Sequence, residues 1–324
     1  MKICVFGAGA IGGNVAARLA SGGADVSVVA RGEHLAAIRQ NGLTLELPDR
    51  TINQRVKASA DPKELGPQHL VIVSVKAPSL PEVAAGIGPL LARETPVMFV
   101  MNGIPWWYFY KHGGKFDGRR LPLIDPNDVV WNAVGPERAI GAVIYSANSV
   151  PRPGVINNVG GGAHLIIGEP SGEMSARTKM IADALIAGGA KADVTPRMRE
   201  AVWAKLLGNM SSNPLCFLGE CSIGEVVRSP LLFEKVDVMA KESSAVAKAL
   251  GYEVSLDVQK AFGGGTPHKP SIVQDLIRRK PLELDAMFTV PLEMGKLYDV
   301  KTPMLDVMID LMKLRAKAAG LYAN

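Results

Sequence analysis

The stretch KICVFGAGAIG at positions 2–12 decides the fold. Lys2–Phe6 is a short apolar run, partly β-branched, that ends in glycine. Gly7, Gly9 and Gly12 then form GxGxxG, and positions 14–21 continue in a helical pattern. Strand, glycine turn and helix in that order are the dinucleotide-binding fingerprint in the context it requires. The first glycine permits the tight turn and the second lets backbone approach a pyrophosphate. The third allows close helix–sheet packing, and the helix N-terminus meets phosphate with partial positive charge. The backbone of Gly7, Ala8, Gly9, Ala10, Ile11 and Gly12 is therefore the expected cofactor cradle.

Outward from that turn, strands and helices keep alternating. Positions 24–30 (ADVSVVA), 69–75 (HLVIVSV) and 96–101 (PVMFVM) read as buried strands. This grammar implies an α/β Rossmann-type domain with a parallel sheet covered on both faces. NAD-specific folds place an acidic residue about 20 residues beyond the glycines. Arg31 stands there, and a guanidinium suits a 2′-phosphate, so the cofactor is expected to be NADP. A solvated strand-end charge is the alternative for Arg31, and nearby Glu33 is the candidate for a ribose contact. Lys76 ends the HLVIVSV strand at the sheet edge where ligands bind; it is either a cofactor contact or a solvated lysine. Asn102-Gly103 follows PVMFVM at the same edge and is also a good turn sequence.

Five consecutive aromatics, Trp106 to Tyr110, come next. They read as a buried helix start or a subunit contact, with part of a substrate pocket wall as the second reading. Strand-like pieces at 141–145 and 164–167 are expected to add antiparallel members to the sheet. A helix is expected over 175–188.

The pattern changes near Thr195. From there long helical periods dominate: 199–210, 232–250, 282–297 and 304–317, the last with Thr302 as N-cap and Pro303 at its first position. The expected division is a dinucleotide-binding domain over 1–195 and an all-α domain over 196–324 that carries substrate and catalytic groups. Lys205, Asn209 and Asn213 are spaced i, i+4, i+8 and form one polar stripe in apolar surroundings. Buried, they need polar partners, and a substrate with a carboxylate and hydroxyls would supply them; a solvated face is the alternative. Glu283 and Asp285 open a mostly apolar helix, where a dipole-favoured cap explains at least one of them.

Composition narrows the function classes. The chain has 324 residues, is 48% hydrophobic and carries a net charge of +5 from 36 basic and 31 acidic residues. It can bury a sizeable core, and it lacks the concentrated basic face that tight nucleic-acid binding needs. Three cysteines make no disulfide framework, and no Cys/His cluster suggests a metal. No apolar stretch is long enough to span a bilayer, and the N-terminus begins directly with a strand. A soluble, cytoplasmic globular protein of more than one domain, without membrane or nucleic-acid partners, is expected. The five histidines, His34, His69, His112, His164 and His268, are scattered and read as structural or solvated.

Together these residues resemble the ketopantoate reductase (2-dehydropantoate 2-reductase) family over nearly the whole chain. The resemblance rests on GAGAIG, Arg31, VSVKA with Lys76, NG at 102–103, WAKLLGNMSSNP, Ser271 with Gln274-Asp275, and LELD with Glu283. It implies a helical domain similar to that of 6-phosphogluconate dehydrogenase and reduction of ketopantoate to pantoate by NADPH, in pantothenate and coenzyme A biosynthesis. Lys205 would be the general acid. Glu283 would orient the reacting group and contact the cofactor. Asn209, Asn213 and Ser271 would bind the small anionic 2-oxo acid, Asn102 would lie between substrate and cofactor, and the Ala147 backbone would approach the nicotinamide. The chain departs from the family pattern in its aromatic run and at 286–289 (AMFT), both near the implied pocket. Reduction of another 2-oxo acid and a non-catalytic NADP-binding sensor are the competing readings. A homodimer is an open expectation, with the helical domain and the aromatic run as candidate contacts.

Overall fold

The computed structural model describes residues 1–322, which form two compact units. The first comprises 1–75, 79–101 and 105–198; the second comprises 76–78, 102–104 and the described residues from 199 onward. The units divide after Met198, and the short segments that follow two strand ends, at 76–78 and 102–104, cluster with the helical unit.

The strands of the first unit are β1 (Lys2–Phe6), β2 (Asp25–Val29), β3 (Leu43–Glu46), β4 (Thr51–Gln54), β5 (Lys57–Ser59), β6 (Leu70–Val73), β7 (Val97–Val100), β8 (Ala139–Tyr145), β9 (Asn148–Arg152), β10 (Val155–Asn158), β11 (His164–Gly168) and β12 (Lys191–Val194). Its helices are α1 (Ala10–Ser21), α2 (Gly32–Asn41), α3 (Leu80–Gly86), α4 (Val129–Val134) and α5 (Ala176–Ala187). Eight strands make the main sheet, in the order β12-β11-β8-β7-β6-β1-β2-β5. β1 pairs in parallel with β2 (Lys2↔Asp25) and with β6 (Ile3↔Leu70). Strand order reverses about β1, so the glycine turn after it sits at the topological switch point, where α/β sheets bind ligands. β1, β6 and β7 are buried along almost their whole length, as apolar runs in a sheet covered on both faces must be.

The expected antiparallel extension holds in one pairing only. β11 runs antiparallel to β8, but β8 lies parallel to β7 and β12 parallel to β11. A second, four-stranded sheet, β4-β3-β10-β9, has no counterpart in the sequence reading. All four strands are short, and the edge strands β4 and β9 are partly exposed and polar (TINQ, NSVPR), so the sheet lacks the apolar runs that mark β1 or β7. The aromatic run belongs to the core of this unit, in turns and not at a helix start. Trp106, Trp107, Tyr108 and Phe109 are fully buried. Trp106 stands edge-on to Phe99 at 5.4 Å. Gly141 of β8 leaves room for Trp107, because a Cβ there would lie 2.6 Å from the indole.

The second unit is helical: α6 (Met198–Gly219, its first residue in the first unit), α7 (Ile223–Val227), α8 (Pro230–Ala249), α9 (Val258–Phe262), α10 (Ser271–Ile277), α11 (Val290–Lys296) and α12 (Pro303–Ala318). α6 runs well past the expected end at 210 and contains Pro214. Proline removes one backbone bond, yet Trp203, Leu206, Leu207, Met210, Cys216 and Phe217 on this helix are all buried, and packing overrides local propensity. The helix expected over 282–297 is present from position 284 to 296, with a π-helical turn, Asp285–Thr289, as its first part leading into α11. Thr302 occupies the N-cap of α12 with Pro303 behind it, but its side chain makes no cap bond. The carboxylate of Glu242 on α8 accepts from the amides of Met304 (3.0 Å) and Leu305 (2.9 Å) in its place.

Candidate active site

The glycine turn is held by bonds to its carbonyls. Gly7 has φ +99°, open to glycine at little cost, and its N–H donates to the Val29 carbonyl. Ser74 Oγ donates to the Gly7 carbonyl at 2.7 Å. A Cβ on Gly12 would lie 2.0 Å from that carbonyl and 2.1 Å from Ser74 Oγ, so the third glycine is needed for packing within the protein. Gly9 differs: no atom lies within 4 Å of where its Cβ would be. Nothing in the protein requires glycine there, whereas a pyrophosphate against the α1 N-terminus would. The first turn of α1 has no acidic residue to oppose an anion. Ala10 and Ile11 are the first residues of α1. These residues fit a dinucleotide.

Arg31, the N-cap of α2, is exposed and pairs with Glu82 at 3.0 Å. Ala147 lies exposed between β8 and β9, its carbonyl accepting from Val159 N–H at 3.2 Å.

The second unit assembles a chain of polar side chains. Lys205 Nζ donates to Asn102 Oδ1 at 2.9 Å, and Asn102 Nδ2 donates to Glu283 Oε2 at 3.2 Å. Lysine can only donate, so the amide must turn its oxygen to Lys205 and its nitrogen to Glu283. Glu283 also accepts from Ala77 N–H at 3.4 Å. Lys76 pairs with Asp275 at 2.6 Å and donates to the Pro281 carbonyl at 3.0 Å. Burial pulls the Lys205 ammonium down to about 8, against the opposing pull of Glu283. Burial raises the Glu283 carboxyl, with Asn102, Lys76 and the Ala77 amide acting against it.

Asn102-Gly103 is more than a turn. Gly103 has φ +81°, and a Cβ there would lie 2.3 Å from the Ala286 carbonyl; Ile104 N–H donates to that carbonyl at 2.7 Å. The π-helical turn at AMFT thus anchors the segment that carries Asn102. Asp285 accepts from Tyr322 Oη at 2.6 Å instead of capping a helix. Asn209 is partly exposed on α6. Asn213 is buried and accepts from Ser212 Oγ at 3.4 Å. Ser271 is exposed at the start of α10.

The sequence reading gave no role to Ser74, whose hydroxyl holds a backbone carbonyl, or to Ala77 and Ala286, which act through their own backbone. Among the described residues, no group of three or more His, Cys, Asp or Glu side chains could hold a metal ion, and no helix is long and apolar enough to cross a membrane.

Known proteins match this architecture across its full length. A 2-dehydropantoate 2-reductase of Mesorhizobium japonicum is 39% identical over 100% of both chains. A Ralstonia solanacearum MolK2 structure superposes with a TM-score of 0.92 at 35% identity, covering 99% of each chain. The crystal structure of a PanE/ApbA family ketopantoate reductase from Ralstonia eutropha JMP134 gives 0.83 at 27% identity, covering 99% of this chain and 100% of that one. Residues 3–172 match the family described as ketopantoate reductase PanE/ApbA, and residues 197–316 match its C-terminal counterpart. The chain belongs to the ketopantoate reductase family.

Proposed function

We propose that this protein reduces 2-dehydropantoate (ketopantoate) to pantoate with NADPH, in the cytoplasmic synthesis of pantothenate, and that Lys205 is its general acid. The observation that carries this reading is the Lys205–Asn102–Glu283 chain, with the lysine lowered to about 8 by burial. Such an ammonium is mostly protonated at neutral pH, yet gives up its proton more readily than an ordinary lysine.

The turn at 7–12 would hold the pyrophosphate and Arg31 the 2′-phosphate, exchanging Glu82 for a more highly charged partner. When bound, NADPH supplies the hydride. Charge then develops on the substrate's keto oxygen. The Lys205 ammonium, fixed by Asn102, stabilises that oxygen and delivers its proton to it. Glu283 keeps Asn102 oriented and holds a negative charge near Lys205, so that desolvation does not strip the lysine of its proton. Asn209, Asn213 and Ser271 would supply hydrogen bonds to the substrate's carboxylate and hydroxyl. Lys76, paired with Asp275 in this arrangement, would contact the cofactor only by giving up that pair.

The test is steady-state NADPH oxidation with ketopantoate, pyruvate, 2-oxoisovalerate and oxaloacetate. A kcat/KM for ketopantoate well above the other three is expected. Equal values would replace ketopantoate with another 2-oxo acid, and no turnover with any of them would favour a sensor.

A further inference from the structure

His34 is bonded through both ring nitrogens to backbone, and one of those bonds ends on the glycine turn. His34 lies in the first turn of α2, just beyond Arg31. Its Nε2 is 2.7 Å from the Ala8 carbonyl, and its Nδ1 accepts from Gly154 N–H at 3.0 Å. A carbonyl only accepts and an amide only donates, so the ring is the neutral tautomer with its proton on Nε2. Gly154 lies in the tight turn between β9 and β10, where φ is +76° and a Cβ would lie 3.0 Å from Ala37 Cβ. The small second sheet therefore backs the imidazole closely.

The consequence for the turn follows from peptide geometry. Three successive carbonyls are tied: Gly7 by Ser74 Oγ, Ala8 by His34 Nε2–H, and Gly9 by Gly13 N–H at 2.7 Å. In a trans peptide the C=O and the N–H of the next residue point in opposite directions. Holding the Ala8 carbonyl on His34 thus fixes the direction of the Gly9 N–H, which makes no hydrogen bond among the described residues. Rotation of that peptide would bring the carbonyl dipole round toward a bound anion and turn the amide away.

We propose that His34 is a positioning residue for the dinucleotide: its Nε2–H locks the Ala8–Gly9 peptide so that the Gly9 amide faces the pyrophosphate. The proposal rests on the reading of the turn as the NADPH site. The two ring bonds can be separated by substitution. His34→Gln places an amide N–H near the Nε2 position and loses the acceptor for Gly154. His34→Asn keeps an acceptor near the Nδ1 position and loses the donor to Ala8.

The experiment is NADPH titration by fluorescence without substrate, with the melting temperature of each variant and its kcat at saturating NADPH. H34N is expected to bind NADPH about tenfold more weakly, the worth of one hydrogen bond, with kcat nearly unchanged because His34 touches no reacting atom. H34Q is expected to stay within about threefold of wild type. H34N binding as tightly as wild type, or H34Q proving the weaker binder, would overturn the proposal and leave His34 as a brace between α2 and Gly154. Should H34N fail to fold, H34Q decides alone: near-normal affinity supports the proposal and a tenfold loss overturns it. Wild-type protein that binds no NADPH would defeat the functional reading itself, a result distinguishable from either.

Discussion

The glycine turn and the Lys205 chain are built in opposite ways. The turn is made of backbone within one continuous stretch, and at Gly7 and Gly12 the protein itself leaves no room for a side chain. The Lys205 chain is made of side chains from two segments far apart in sequence, Asn102 on one and Lys205 and Glu283 on the other, with a backbone N–H from Ala77 on a third. The first kind of site is sensitive to added atoms, and the second to lost functional groups. Substitution therefore tells them apart.

The largest effect falls on the second. Lys205→Ala is expected to lower kcat by about a hundred- to ten-thousandfold, the usual worth of a general acid, while the NADPH dissociation constant stays near normal. Near-wild-type turnover in that variant would remove Lys205 from the chemistry.

Within the turn, two glycines two different reasons for being there. Gly12→Ala pushes a methyl group into the Gly7 carbonyl and Ser74 Oγ, so both melting temperature and NADPH affinity should fall. Gly9→Ala meets no protein atom. Its melting temperature should match wild type while NADPH affinity falls roughly ten- to a hundredfold, because crowding a filled contact costs about 1–3 kcal/mol. Calorimetry and NADPH titration of the pair check this. Equal melting losses in both would mean that Gly9 has a packing role.

A smaller change is expected at Arg31. Arg31→Ala should raise the KM for NADPH about tenfold, through loss of one charge-assisted contact, and leave the KM for NADH nearly unchanged. Steady-state kinetics with both cofactors measures it, and parallel losses would mean that Arg31 does not read the 2′-phosphate.

What could be read from the sequence divides along the same line. The turn was legible because φ +99° at Gly7 and the close approach at Gly12 demand glycine at fixed spacing, and β1 before it is a plain apolar run. The stripe of Lys205, Asn209 and Asn213 was legible from helical period alone. The connection of Lys205 to Asn102 was not, because 103 positions separate them. Nor was the reason for Gly103, which depends on the Ala286 carbonyl in a π-helical turn that periodicity reads as ordinary helix. The second sheet escaped because its strands are short and its edge strands polar. His34 escaped because both its partners are backbone atoms, which no residue pattern reports.

One measurement tests the central claim most directly: the pH dependence of kcat for NADPH-driven reduction of ketopantoate, in wild type and in Glu283→Gln. The acid must be protonated to act, and burial sets Lys205 at about 8. The wild-type rate should therefore hold at neutral pH and fall about tenfold per unit well above pH 8. Glu283 raises the lysine's pKa, so its neutral replacement should move that falling limb to lower pH. A rate that stays flat to pH 10, or a limb that Glu283→Gln does not move, would contradict Lys205 as the proton donor.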